Sequence, residues 1–299
     1  MENTKVLAFG EVLWDFIEGE KYFGGAPVNF AAHMVQCGRD TAIITALGSD
    51  KLGDQALEEM LKLGLSGEFV QRNSRLTGRV MVFLEDGQPS YRIRKDVAFD
   101  YIEPDKIEFS RLSEYGAFYF GTLAQRNEVS RATLTAIMQK ASFQTVFYDV
   151  NLRRDGYTRE IIESSFNYCT IVKMNDDEVR LLSKLIYETS LSIDEFCQRL
   201  FTNYERLELQ IITEGGEGCM LFTRSGNYRV SAQMMPVKDS VGAGDAFCAA
   251  FLDTYLKSKD PKKAARIGNM VGGFVVSESG AIPIYPEKFR RKIEILSAS

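Results

Sequence analysis

Short apolar runs rich in β-branched residues alternate with longer segments of helical period along most of this chain, and that alternation allows few folds. Strands separated by helices pair in parallel, and a parallel sheet has to be covered on both faces. The first strand reads at 6–9, and a helical pattern runs on past Phe23-Gly24-Gly25-Ala26-Pro27-Val28-Asn29 to Cys37, ending at Gly38. A strand at 41–47 leads through Gly48 to Ser49 as helix N-cap, then a helix to Gly64 with Leu57, Met60 and Leu61 on one face. From residue 117 the alternation gives strands at 117–120, 145–149, 170–174 and 209–213, with helices at 127–141, 159–168, 176–185 and 193–201. The last third reads as a turn at 214–218, short strands at 219–222 and 228–231, and helices at 245–257, 261–277 and 286–296. Only 79–95 breaks the rhythm, as a polar hairpin turning at Glu85-Asp86-Gly87; an insertion of that kind suggests a lid.

With 299 residues, 45% of them hydrophobic, the chain can bury a large core, which fits one main α/β domain with a small appendage. A net charge of −5 without any long basic run argues against nucleic acid or an anionic membrane surface as the main partner. The polar start leads directly into the first strand and no run of eighteen apolar residues occurs, so neither a signal peptide nor a membrane span is expected and the location should be cytoplasmic. The five cysteines are odd in number, never spaced C-x-x-C, and read as reduced core residues.

Chemistry concentrates in Lys238-Asp239-Ser240-Val241-Gly242-Ala243-Gly244-Asp245-Ala246-Phe247. Glycines at 242 and 244 leave backbone N–H groups open at the start of an apolar helix, a site for phosphate or for charge developing during transfer. Asp245 would repel an anion there unless it takes a proton from an incoming hydroxyl. Taken alone, the stretch also reads as a plain helix N-terminus with an acidic first turn. Asp15, where a parallel strand gives way to its loop, is a candidate for a polar ligand or a solvated acid. Gly24, Gly25 and Asn29 offer close backbone approach and an amide to hydroxyl groups, or else a tight turn with a capping Asn. The lone histidine, His33, reads as a packed residue.

No Gly-Lys dipeptide occurs, so there is no P-loop; His33 precedes Met34, so the protein-kinase catalytic loop is missing. No third glycine follows Gly244, and no clear strand leads into it, so a dinucleotide fold is poorly supported.

Gly25-Ala26-Pro27-Val28-Asn29-Phe30-Ala31, spaced to Gly38 and Gly48, resembles the N-terminal signature of the ribokinase-like (pfkB) carbohydrate kinases. Asp239 to Asp245, with Ala249 and Ala250, resembles their C-terminal signature, about 200 residues on. The resemblance, from Val6 to about Ile284, implies a three-layer α/β/α core with a mainly parallel sheet and a small β-sheet lid, in one domain spanning 1–299 with the lid inserted from about 11–24 and 78–101. It implies Asp245 as general base and an anion hole at Gly242, Ala243 and Gly244. It implies sugar contacts at Asp15, Gly24, Gly25, Asn29, Asn151 and Arg153, and nucleotide contacts at Lys173, Asn175, Glu178, Thr213, Gly215, Gly218 and Asn269. ATP and Mg2+ are the implied cosubstrate and ion, with Glu178 reaching magnesium through water, and Asp239, Val241 and Gly280 outline a K+ loop. Ser240-Val241 departs from the common Thr-Thr of that loop.

Leu13-Trp14-Asp15, Gly24-Gly25-Ala26-Pro27 and Asp149-Val150-Asn151-Leu152-Arg153 look like the fructokinase branch. Neighbouring branches acting on ketodeoxygluconate, ribose or inositol share much of this, and Arg92, Arg94 or Arg153 could grip an acid sugar. A nucleoside kinase stacking its base on Phe99 and Tyr101, and a non-catalytic sugar sensor, remain as alternatives. Uncovered apolar positions Val80, Val82, Leu84 and Ile93 on the hairpin, together with the resemblance, lead to the expectation of a homodimer joined through the lid.

Overall fold

The computed structural model describes residues 4–85, 88–154 and 156–298. The strands are β1 (Lys5–Phe9), β2 (Leu13–Ile17), β3 (Glu20–Gly24), β4 (Thr41–Gly48), β5 (Val70–Asn73), β6 (Gly78–Glu85), β7 (Gln88–Ile93), β8 (Tyr115–Gly121), β9 (Thr145–Asp149), β10 (Ile171–Asn175), β11 (Leu209–Thr213), β12 (Gly218–Thr223) and β13 (Gly226–Ser231). The helices are α1 (Ala26–Gln36), α2 (Lys51–Lys62), α3 (Glu128–Lys140), α4 (Arg159–Tyr168), α5 (Asp176–Tyr187), α6 (Ile193–Asn203), α7 (Ala243–Ser258), α8 (Pro261–Val276) and α9 (Glu287–Ala298).

Nine strands form one sheet in the order β13-β12-β11-β10-β9-β8-β1-β4-β5, parallel except at β12 and β13. Period-2 alternation divides its side chains between two layers. Leu7, Phe9, Phe118, Phe120, Val146, Tyr148, Val172 and Met174 pack against α3, α4, α5 and α6. Their neighbours Val6, Ala8, Ala117, Tyr119, Phe147 and Ile171 pack against α1, α2, α7 and α8. Because both faces are covered, strands such as β4 are buried along their full length, which is why they read as unbroken apolar runs. The carboxyl ends of β1, β9, β10 and β11 open on one edge, where ligands settle in such sheets.

A second sheet, β3-β2-β6-β7, comes from two separate stretches joined by the parallel pair β2 and β6. Asp15 therefore sits within a strand and not in a loop: Leu13 to Ile17 alternates against β3 on one side and β6 on the other. Its sequence stretch ends before residue 98, since Ala98, Phe99 and Asp100 are buried in a turn of 3-10 helix against the body.

Several sequence expectations need correction. Asp50, not Ser49, caps α2, with its carboxylate accepting from Gly53 N at 2.8 Å; Asp supplies an ionised acceptor for those amides. Leu61 is 56% exposed, leaving buried Met60 and partly buried Leu57 to face the core. Val80 is 4% exposed, packed with Leu13, Val97, Phe99 and Leu123, and Ile93 is half-buried, so the expected uncovered apolar face is absent at these two positions. The side chains of Val82 and Leu84, like the turn residues Asp86 and Gly87, lie outside the described residues. Phe99 is fully buried and cannot stack a base, while Tyr101 donates to Asp96 at 2.5 Å. His33 is packed as expected, and four of the five free cysteines are buried, with Cys37 partly so. Among the described residues no helix is long and apolar enough to cross a membrane.

Candidate active site

Gly242 caps α7 with φ 80°, a left-handed conformation, and a Cβ there would run into the backbone of Ala281. No side chain caps the helix, and Ala243 N makes only a long bond of 3.4 Å to Ser240 O, so the positive end of the dipole is not covered by a side-chain acceptor. Asp245 lies in that first turn, 8% exposed, and accepts a hydrogen bond from Asn29 Nδ2 at 2.8 Å, joining α1 to α7. Burial, and then the nearby Asp149 carboxylate, push the Asp245 carboxyl up to about 7; the Asn29 hydrogen bond and the cations of Lys173 and Arg153 work against that rise.

Lys173, inside β10, reaches the same place from below. Its Nζ contacts Asp149 Oδ1 at 3.1 Å and stands 3.6 Å from where a Cβ on Gly244 would lie. Asp149 Oδ2 accepts from the buried Tyr119 hydroxyl at 3.0 Å. Burial disfavours the Lys173 charge, but Asp149, with Cys248 and Glu178, outweighs it and holds the ammonium well above its usual range.

On the other side of Asp245, Gly24 lies between Asp15 and Asn29: a Cβ there would sit 3.4 Å from Asp15 Oδ2 and 3.6 Å from Asn29 Oδ1. Asn29 Oδ1 is buried with no partner among the described residues, an acceptor waiting for a donor. Gly25, at φ 123°, is the α1 N-cap, and a side chain there would strike the Glu11 carbonyl. Asp15 is raised to about 6 by burial, against the attraction of Arg153. Sequence reasoning did not select Glu11, which is 5% exposed, carries an unpartnered Oε2, and is raised to about 7 mainly by burial. Its signal was an acid next to Gly10 at the end of a central strand. Asn151 adopts φ 38° and is half-buried; Arg153 is exposed, with its Nη1 donating to Leu152 O at 3.2 Å.

Farther along the sheet edge, Asn175 caps α5 and Glu178 returns the bond in a capping box. The Thr213 hydroxyl lies 3.5 Å from Met174 O; Gly215 and Gly218 hold positive φ angles in the turn between β11 and β12. Asn269 Nδ2 donates to Val230 O at 3.0 Å, tying α8 to β13. Asp239 Oδ1 accepts from Val241 N and Oδ2 from Gly280 N, both at 3.0 Å, which ties the segment before α7 to the one after α8. His33 supports this segment: its Nε2 donates to Ala281 O at 2.9 Å, which makes Nδ1 the acceptor for the Tyr285 hydroxyl at 2.7 Å.

The described residues contain no group of three or more His, Cys, Asp or Glu able to cage a metal. Magnesium needs no such cage, since it keeps most of its waters and is held by phosphate oxygens with one or two carboxylates. Of the three carboxylates in the first turn of α5, Asp176 and Asp177 pair with Arg180, while Glu178 is buried and its oxygens keep lone pairs beyond those used by backbone N–H groups, so the residues fit an ion held through water.

The profile of the pfkB family carbohydrate kinases matches residues 2–288. The chain belongs to the pfkB carbohydrate kinase family. As a pfkB kinase it is an ATP-dependent carbohydrate kinase, a phosphotransferase with an alcohol acceptor. It is 28% identical over 314 residues to the probable fructokinase-7 of Arabidopsis thaliana, covering 95% of this chain and 90% of that one. A sugar kinase from Pyrococcus horikoshii is 30% identical over 297 residues, covering 92% and 91%. The structure of that sugar kinase in complex with ATP superimposes at a TM-score of 0.83, covering 96% and 99% of the two chains. A fructokinase from Xylella fastidiosa with bound ATP has the same fold at a TM-score of 0.88 and 22% identity, covering 99% and 98%.

Proposed function

We propose that this pfkB kinase is a fructokinase, transferring the γ-phosphoryl group of ATP to a hydroxyl of fructose. The observation that carries the reading is Asp245: a buried carboxylate whose pKa is poised near 7, in the first turn of a helix that no side chain caps and bonded to Asn29. Asp245 takes the proton of the acceptor hydroxyl as the hydroxyl oxygen bonds to the γ-phosphorus, the bond to the bridging oxygen breaks, and ADP leaves. The N–H groups at Gly242, Ala243 and Gly244 stabilise the charge on the transferring group, with the Lys173 ammonium adding to their field.

Asp15, Gly24, Gly25, Asn29, Asn151 and Arg153 receive the sugar, and Asn29 Oδ1 supplies the acceptor that one sugar hydroxyl satisfies. Asn175, Thr213, Gly215, Gly218 and Asn269 border the nucleotide, where Asn269 acts by fixing β13 against α8. Magnesium, when bound, neutralises charge on the phosphate oxygens, and Glu178 holds its waters. Asp239 shapes the Val241 and Gly280 loop for a monovalent cation such as K+. Three acids, Glu11, Asp15 and Asp245, face Arg153 in the acceptor region, a balance that suits a neutral polyol better than an acid sugar. Relatives named as fructokinases support the same choice. The β3-β2-β6-β7 sheet is the lid of this site and the surface through which two copies pair, by way of exposed Met81 on the face turned away from Asp15.

An ADP-release assay across fructose, ketodeoxygluconate, ribose, inositol and a nucleoside is the test. The highest kcat/KM is expected with fructose. A higher value with the acid sugar would refute fructose as the acceptor, and no ADP release with any acceptor would favour the non-catalytic reading.

A further inference from the structure

We propose that Glu178 is a positioning residue for the acceptor site, holding in place the loop that carries Asn151 and Arg153. The inference rests on the proposed reading only in taking those two residues as sugar contacts. A capping box occupies one carboxylate oxygen, and here Glu178 Oε2 accepts from Asn175 N at 2.8 Å while Asn175 Oδ1 accepts from Glu178 N at 2.7 Å. The other oxygen reaches out of the helix altogether: Oε1 accepts from Leu152 N at 2.8 Å, on the loop that follows the neighbouring strand β9. Glu178 is 8% exposed, so neither bond is replaced by water without cost.

The loop needs such an anchor. Asn151 holds φ 38°, a left-handed conformation that asparagine reaches more easily than other side chains but that still has to be selected from the extended and helical alternatives by bonds on either side. Two further bonds lie just before it: Val150 N donates to Lys173 O at 3.0 Å, and the Thr122 hydroxyl donates to Val150 O at 2.5 Å. On the far side of Asn151 the Leu152 N–H donates to Glu178, and Arg153 is the next residue. Together with the Lys173–Asp149 ion pair, these bonds join the end of β9 to the end of β10 and the first turn of α5. The sugar loop and the Asn175–Glu178 turn are therefore one piece, and displacing the turn displaces Arg153.

A carboxylate is required because two N–H donors need two acceptor oxygens; a glutamine offers one oxygen and turns an NH2 group against the other donor. The test is Glu178→Gln in the full chain, read by amide hydrogen exchange at Leu152 and by steady-state kinetics with fructose and ATP. Exchange at Leu152 should quicken about tenfold or more, as for loss of a bond to a charged acceptor, while exchange at Leu182 within α5 stays unchanged. At saturating magnesium, which offsets any weakening of the hold on the ion's waters, the KM for fructose should rise about tenfold and by more than the KM for ATP, the pattern of a lost acceptor contact. Unchanged Leu152 exchange and fructose KM, with a raised magnesium requirement, would overturn the proposal in favour of a role at the metal alone. Faster exchange throughout α5, with both KM values raised alike, would overturn it as loss of helix stability. If the glutamine variant fails to fold, Glu178→Asp keeps the charge but is one methylene short, and the same exchange measurement decides. Exchange at Leu152 needs no substrate, so a failure of the fructose assignment leaves this reading separately tested.

Discussion

At the scale of single residues, the site depends on a carboxylate kept where ionisation is disfavoured. Asp245→Asn keeps the size and the bond from Asn29 but removes the proton acceptor, so kcat should fall ~10²–10⁴-fold, with ATP affinity by calorimetry unchanged; a variant keeping a tenth of the native turnover refutes Asp245 as base. The same substitution has a stability signature. The folded-state pKa of about 7 lies above the ordinary 3.8, so the stability that protonated Asp245 contributes at low pH is lost as pH rises toward 7 and beyond. The asparagine variant escapes that loss, and its melting temperature relative to the native protein should be higher at pH 8 than at pH 5. Activity runs the opposite way, because the base must be ionised: kcat should decline as pH drops below about 7. Asn29→Leu removes a bond that favours the ionised form, so it should move that acid limb to higher pH, and an unmoved limb would show that the Asn29 bond does not tune Asp245. Asp15→Ala should raise the sugar KM at least about tenfold through loss of charge-assisted bonds, while sugar affinity unchanged by calorimetry would mark Asp15 as uninvolved.

At the scale of elements, the first turn of α7 holds the most conformational constraint. Gly242→Ala puts a side chain on a left-handed residue and into the Ala281 backbone, so kcat should fall about 10²-fold or more, the loss seen when an oxyanion donor is misplaced. Retained turnover would mean that the segment carrying Ala281 can give way. This turn was legible in the sequence because glycines, acid and apolar helix are contiguous there, and β9, α4 and β11 were legible with their boundaries because periodicity and flanking turns agree. Other elements were hidden for physical reasons. The edge strand β5 is Val-Gln-Arg-Asn, too polar to read as a strand, and it is held by pairing with β4. Asp15 read as a loop acid because the strand that carries it is completed only by β6, some sixty residues on. Nor could Glu11 be distinguished from a solvated acid, since its burial arises from the packing of α1 and Gly25 over it. Asn269 was placed on the right helix, yet its bond to Val230 could not be read from spacing.

At the scale of the whole molecule, the small sheet leaves Ile17, Tyr22 and Met81 exposed while Val80 is buried, so the test of pairing moves to an exposed position. Sedimentation at micromolar concentration should report a dimer, and Met81→Glu, on the face turned away from Asp15, should give a monomer; a native protein that sediments as a monomer refutes pairing. The order of strands in the large sheet has a further consequence, for the chain as it is made. β1 leaves the ribosome before every other strand, yet it belongs between β4 and β8 and cannot be flanked on both sides until residue 121 has emerged. Asn29 waits longer still, because Asp245 is 216 residues downstream. A nascent chain halted before α7 would already hold Asp15, Asn151 and Arg153 but neither the proposed base nor the proposed anion hole, so fragments left by premature termination are expected to leave ATP unconsumed.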